Sequence, residues 1–170
     1  MGSQNAALTG VEVAALISCP ANGGRESDQM SPQAFVTHAI QDGVWNMELG
    51  KVALQKSSHP EVLKFARWVL EDGSRAYRDL CALAEQSGLS VPGVGNSGND
   101  VGLVGMHKLS GPEFDSAYMR RMAEAQSAAI ALFTYASWIS NRALAEFARQ
   151  KLPTIRQRKG IASRVSARLN

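Results

Sequence analysis

The stretch that decides the fold runs from Pro60 to Leu83: Pro-Glu-Val-Leu-Lys-Phe-Ala-Arg-Trp-Val-Leu-Glu-Asp-Gly-Ser-Arg-Ala-Tyr-Arg-Asp-Leu-Cys-Ala-Leu. Val62, Ala66, Val69, Gly73, Ala76, Leu80 and Leu83 recur at alternating steps of four and three. That spacing places them on one stripe of a helix and leaves the charged residues on the other side. Pro60 suits a first helical position, where its missing N–H costs nothing, and Gly88 is a natural stop.

The same period appears on both sides of this segment. Ser31-Pro32 reads as a cap followed by a first-turn proline. From there to about Ser57, the residues Val36, Ile40, Val44, Met47 and Leu54 form a stripe that Phe35, Ala39, Leu49 and Ala53 widen. Ser57-Ser58-His59 separates the two helices, and His59 reads as a turn residue. Ser110-Gly111-Pro112-Glu113 predicts a third start with a capping box, followed by Phe114, Tyr118, Met122, Ala125, Ala129, Leu132 and Ala136. A fourth helix follows from about Arg142, with Pro153 expected to kink it. Residues 88–105 hold six glycines and Pro92 and read as a long crossover. Four amphipathic helices in two hairpins predict an all-α antiparallel four-helix bundle, with the Gly-rich crossover between helices 2 and 3.

The chain has 170 residues, a length that suits one domain. We divide it into an N-terminal segment, 1–30, and a bundle domain, 31–170. Residues 21–31 are small and polar, and the first thirty residues are expected to add little to stability. Leu16-Ile17-Ser18-Cys19 matches a bacterial lipobox, with Ala6 to Ile17 as its apolar stretch. Against lipidation at Cys19, no Lys or Arg precedes it and Glu12 interrupts the run. The alternatives are a degenerate signal and a disordered arm. Position 6 is Ala, which fails the myristoylation pattern. Cys81, between Leu80 and Ala82, reads as a small core residue. No run of about 18 apolar residues is present, so no membrane-spanning helix is expected.

Charge is uneven. The formal net charge is +3, yet from Arg149 onward there are seven bases and no acid: Arg149, Lys151, Arg156, Arg158, Lys159, Arg164 and Arg168. Cations there suit the C-terminal end of a helix. They are also candidates, behind that reading, for contact with an anionic surface, including peripheral contact with a membrane. No aromatic residue is interleaved among them, which argues against a nucleic-acid platform.

Catalytic and cofactor signatures are sparse. Gly93-Val94-Gly95-Asn96-Ser97-Gly98 matches a dinucleotide fingerprint by letter, but a helix rather than a strand precedes it. No Glu in the four helices has a His three residues later, which a symmetric di-metal carboxylate bundle requires. His38 and Asp42 stand one turn apart; such a pair can orient an imidazole, and more commonly is a solvated hydrogen-bonded pair. Met47, Met119 and Met122 read as gap-filling core residues. Trp45, Trp68 and Trp138 are expected in core or half-buried positions.

Several separated motifs occur in a telling order: Glu48-Leu49-Gly50 with Ala53, Ser58-His59-Pro60-Glu61-Val62 with Phe65-Ala66, Lys108-Leu109-Ser110-Gly111 with Phe114-Asp115-Ser116-Ala117-Tyr118-Met119, and Phe147-Ala148 with Lys151-Leu152-Pro153-Thr154. Together they resemble the bacterial domain of unknown function 4142 family over about residues 32–168. The resemblance implies a ferritin-like four-helix bundle in the periplasm or cell envelope. It also implies histidines that this chain lacks: one after Asp72, where Gly73 stands, one midway along the third helix, where Gln126 stands, and one or two after Leu152-Pro153-Thr154, where Gln157 and Arg158 stand.

The functional expectation is a non-enzymatic binding or structural protein of the envelope, a cytoplasmic setting being the alternative. Its partner would be another protein or an envelope component, with no cofactor. A second reading is a metal-binding or redox bundle with a degenerate transition-metal site built from Glu48, Asp72 and His38. A third is anionic-surface binding through the basic C-terminal helix.

Overall fold

The computed structural model describes residues 30–93 and 101–169. Cys19, with the rest of residues 1–29 of the N-terminal segment, and most of the glycine fingerprint lie outside the described residues. Five helices form: α1 Pro32–Lys56, α2 Pro60–Gln86, α3 Val101–His107, α4 Gly111–Ala136 and α5 Arg142–Leu169. No strand occurs among the described residues.

The helix ends follow from local chemistry. Ser31 Oγ accepts the Ala34 N–H at 3.1 Å and Pro32 opens α1. At the end of α2, Gly88 adopts φ +66°. The Leu89 N–H then reaches Ala84 O at 2.9 Å and the Gly88 N–H reaches Glu85 O at 3.0 Å, which is a Schellman closure that needs a left-handed residue. Asn141 caps α5 by accepting the Leu144 N–H at 3.1 Å, and its amide donates to Ser87 Oγ at 3.0 Å, tying the start of α5 to the end of α2.

One expectation at a helix end is corrected. Ser110 stands at the N-cap of α4 but its side chain makes no capping hydrogen bond; a left-handed Gly111, φ +55°, takes the first helical position in place of an ordinary residue. Pro153 lies inside α5, which runs on to Leu169 as the sequence pattern predicts. The proline is exposed, so the carbonyl it leaves unpaired can meet water.

The crossover also differs from a plain loop, because α3 lies within it. Leu103 and Met106 of this short helix are buried in the core. Lys56 Nζ donates to His107 O at 2.6 Å and Leu109 O at 2.7 Å, supplying a cation to carbonyls at a helix C-terminus. The other end of the crossover is pinned by Gln33, which exchanges two 2.9 Å hydrogen bonds with the Ser90 backbone. These two ties set the topology. The start of α4 lies beside the end of α1, and the end of α2 lies beside the starts of α1 and α5. The order is therefore up, down, a crossover along the bundle, down, up. α1 packs on α2 and α4, and α5 packs on α4 and α2.

The core is divided lengthwise. One apolar lobe gathers Leu49, Val62, Phe65, Val69, Phe114, Tyr118, Met119 and Met122. The other gathers Phe35, Val36, Ile40, Leu80, Leu144, Phe147 and Ala148, with Met30 and Cys81 packed against it in partly buried positions. Trp45 and Trp68 are half-buried against the first lobe. Trp138 departs from expectation: it is 82% exposed, on the outer side of an α4–α5 turn whose Ala136 and Ile139 pack into the second lobe.

Candidate functional site

Between the two lobes, the helices enclose a cavity of about 80 Å³. Its apolar wall includes Ile40, Val69, Leu132 and Ile155, and its polar residues are Asp42, Asn46, Tyr77, Gln126 and Arg158. This is the waist of the bundle, a level at which polar side chains from α1, α2, α4 and α5 line one cavity.

Gln126 is only 2% exposed, and its Oε1 has no hydrogen-bond partner among the described residues. Asn46 Oδ1 is in the same condition. Leaving a buried carbonyl unpaired costs about 1–3 kcal/mol, so the waist presents two acceptors with unmet demand. Arg158 enters from α5 with a side chain 12% exposed, 3.4 Å from Asp72 Oδ2 and with its guanidinium 6.0 Å from the Trp68 ring centre. The ion pair is longer than the roughly 2.7–2.9 Å of a charge-assisted hydrogen bond. Consistently, neither Asp72 Oδ2 nor Arg158 Nε makes a hydrogen bond. Burial pulls the Arg158 pKa down and the Asp72 carboxylate partly restores it. Asp42 stands at the cavity rim, open to solvent on one side. Burial of its inner side raises its pKa, and His38 opposes the shift.

The sequence-predicted metal candidates are not brought together. Glu48 pairs with Lys51 at 2.7 Å on the surface, His38 is exposed, and Asp72 is engaged by Arg158. No group of three or more His, Cys, Asp or Glu suited to a metal ion occurs among the described residues. What does converge is Gly73, Gln126 and Arg158, which all line the one cavity. Gln157, one residue away, is exposed. Asn46 and Tyr77 were not singled out by sequence. The signal lay in the heptads: Gln126 continues the buried series Met119 and Met122, and Arg158 stands between Ile155 and Ala162 on the buried face of α5.

The basic C-terminal helix is less uniform than its sequence. Arg149 bonds Glu146 at 2.9 Å and donates to Ser137 O at 2.9 Å, just beyond α4. Lys151 pairs with Asp79 at 3.5 Å and lies 5.4 Å over the Phe147 ring. Arg168 pairs with Glu61 at 2.7 Å. The pairs Asp79–Lys151 and Asp72–Arg158 are one heptad apart on both helices, which sets the α2–α5 register. Arg156, Lys159 and Arg164 remain exposed, with no ion pair among the described residues.

Fold and site together define an all-α bundle with a polar, cavity-bearing waist. The profile of the domain of unknown function DUF4142 matches residues 18–165, and the chain belongs to that family. Two solved structures share the fold. A DUF305 fragment from Deinococcus radiodurans is 18% identical with a TM-score of 0.72, over 82% of this chain and 99% of that one. A candidate secreted DUF305 protein from Streptomyces coelicolor is 13% identical with a TM-score of 0.67, over 82% and 94%. No curated protein matches the chain. No helix among the described residues is long and apolar enough to cross a membrane.

Proposed function

We propose that this protein acts by binding in the cell envelope, with no chemical step, and that its waist holds a small polar molecule. The observation that carries this reading is the unpartnered Gln126 amide oxygen on the cavity wall. Gln126 and Asn46 ask for donors, and Arg158 Nε asks for an acceptor. A ligand carrying two N–H donors and one carbonyl, such as a primary amide, answers all three within about 80 Å³. The envelope setting is supported by the candidate secreted relative of the same fold. The single crossover along the bundle supports a ferritin-like assignment of that fold. A resident transition metal finds less support in the donor set: neutral amides are weak ligands, and the Arg158 guanidinium would repel a cation at close range.

Titration with acetamide, read by amide NMR and calorimetry, tests the proposal, with acetate and imidazole as comparisons. Saturable shifts confined to the waist, lost in Gln126→Leu, are expected. No waist response to any of the three, or an unchanged response in Gln126→Leu, would count against it. Fractionation of native cells, finding the protein outside the cytoplasm, checks the setting.

A further inference from the structure

Beside the waist, toward the start of α2 and the end of α5, these two helices present matching stripes to one another. Glu61, Lys64, Phe65 and Trp68 occupy positions i, i+3, i+4 and i+7 of α2. Ile161, Arg164, Val165 and Arg168 occupy the same positions of α5. Residues so spaced share one helix face, and the two faces enclose a surface groove of about 350 Å³.

The groove is apolar below and cationic above. Phe65 and Val165 are buried and form its floor, with half-buried Trp68 and Ile161 beside them. The Trp68 ring stands edge-on to Phe65, with centroids 6.3 Å apart. Along the rim, Arg168 is neutralised by Glu61 at 2.7 Å, whereas Lys64 and Arg164 are exposed and have no ion pair among the described residues. The rim therefore carries two uncompensated positive charges above a recessed apolar strip about 10 Å long, seven residues of helix at about 1.5 Å each.

We propose that this groove binds a single-chain anionic amphiphile, its apolar chain on the Phe65–Trp68–Ile161–Val165 floor and a phosphate monoester head between Lys64 and Arg164. Charge complementarity selects the head, since a phosphate monoester carries about −1.5 to −2 at neutral pH against two rim cations. The recess selects a monomer over a bilayer. A flat membrane surface would meet the charged rim first and leave the floor uncovered, whereas one chain can lie along it.

Decyl phosphate, kept below its aggregation concentration, is the probe for the full-length protein, followed by tryptophan fluorescence and by calorimetry. One-to-one saturable binding is expected, weakened by added salt because the rim is solvent-facing. Trp68→Phe should remove the fluorescence change while calorimetry still registers binding. The double variant Lys64→Gln with Arg164→Gln should weaken binding about tenfold or more, as loss of charge-assisted contacts implies. Arg156→Gln, which removes an exposed cation outside the groove, should change it less than twofold. Gln126→Leu should have no effect, so this site stands or falls apart from the waist. The proposal is overturned if decyl phosphate fails to saturate, or if decyltrimethylammonium binds equally well. Inorganic phosphate binding as tightly as decyl phosphate would also overturn it, as would binding seen only with phosphatidylglycerol vesicles.

Discussion

The Met47 side chain occupies the space into which a side chain at position 73 would project: a Cβ built on Gly73 would stand 3.0 Å from Met47 Cγ and 3.2 Å from its Sδ. The Ser74 hydroxyl adds a 3.6 Å contact to the same sulfur. Gly73 is thus a close-approach glycine between α1 and α2, with Met47 on the side where a Cβ would project.

Gly73→Ala sets two effects against each other. Alanine in a helix gains about 0.5–1 kcal/mol over glycine, whereas crowding a packed site costs about 1–3 kcal/mol. Cγ is close to the backbone of Met47 and cannot swing aside as a chain end could. We expect Gly73→Ala to destabilise the protein by about 1 kcal/mol. In a Met47→Ala background the sign should reverse, giving a gain of about 0.5–1 kcal/mol from the helix term alone. Urea unfolding of the four members of this cycle checks it; additive effects would show that residues 47 and 73 do not compete for space.

The Asp72–Arg158 pair should respond asymmetrically. Asp72→Asn leaves a guanidinium 12% exposed without its counter-charge, and an orphaned buried charge costs about 3–5 kcal/mol when burial is complete. Partial exposure reduces this, so we expect a loss of about 2–3 kcal/mol. Asp72→Asn with Arg158→Met removes both charges and should recover most of the loss. Chemical denaturation of the two variants provides the comparison, and a double variant no more stable than the single one would contradict it.

Most of the bundle was legible because its punctuation is local. Ser31-Pro32, Pro60 and Gly88 act through φ angles and missing or added hydrogen bonds that need no tertiary context. α3 was not legible for the opposite reason. Gly102 and Gly105 read as breakers, yet burial of Leu103 and Met106 and the Lys56 bonds hold the segment helical. At the waist, the resemblance pointed to positions 73 and 126, and to 158 alongside 157. Nothing local showed that a polar cavity joins the first three, since that convergence depends on the register of four helices. The exposed Trp138 was hidden similarly: ring size predicts burial on average, and only the turn geometry places it outside.

Tyr118 offers a prediction with a pH signature. Its ring is wholly buried and its hydroxyl has no hydrogen-bond partner among the described residues. Burial pushes the phenol pKa up, since the phenolate cannot be solvated there. The unfolded chain would ionise this tyrosine at about pH 10, while the folded chain holds the proton. The unfolded state therefore gains from deprotonation, and stability falls as pH rises above about 10. Tyr118→Phe should match or exceed wild-type stability by up to about 1 kcal/mol at pH 7, because it deletes an unsatisfied hydroxyl. It should also lose less stability between pH 9 and pH 11 than the wild type. Thermal melts across that range are the measurement, and an identical alkaline slope in the two proteins would show that Tyr118 does not titrate differently on folding.

At the positions where the family resemblance implies imidazoles, the structure separates two neighbours. Gly73, Gln126 and Arg158 line the same cavity, whereas Gln157 is exposed. Installing Gly73→His, Gln126→His and Arg158→His would aim three nitrogen ligands at one space. It would also release Asp72, whose carboxylate pairs with Arg158, as a fourth ligand. Three histidines and a carboxylate suit tetrahedral zinc. The Gly73→His change collides with Met47, so Met47→Ala must accompany it. We expect this variant to retain about one zinc per chain after dialysis and to melt higher with zinc than without, because a ligand bound only by the folded state stabilises it. The version carrying Gln157→His in place of Arg158→His should do neither, since it leaves the guanidinium in the cavity and places its imidazole outside. Elemental analysis of both, beside the wild type, decides the matter. Equal zinc in the two variants would show that the cavity does not set the geometry, and one tightly held metal per wild-type chain would restore the metal-binding reading.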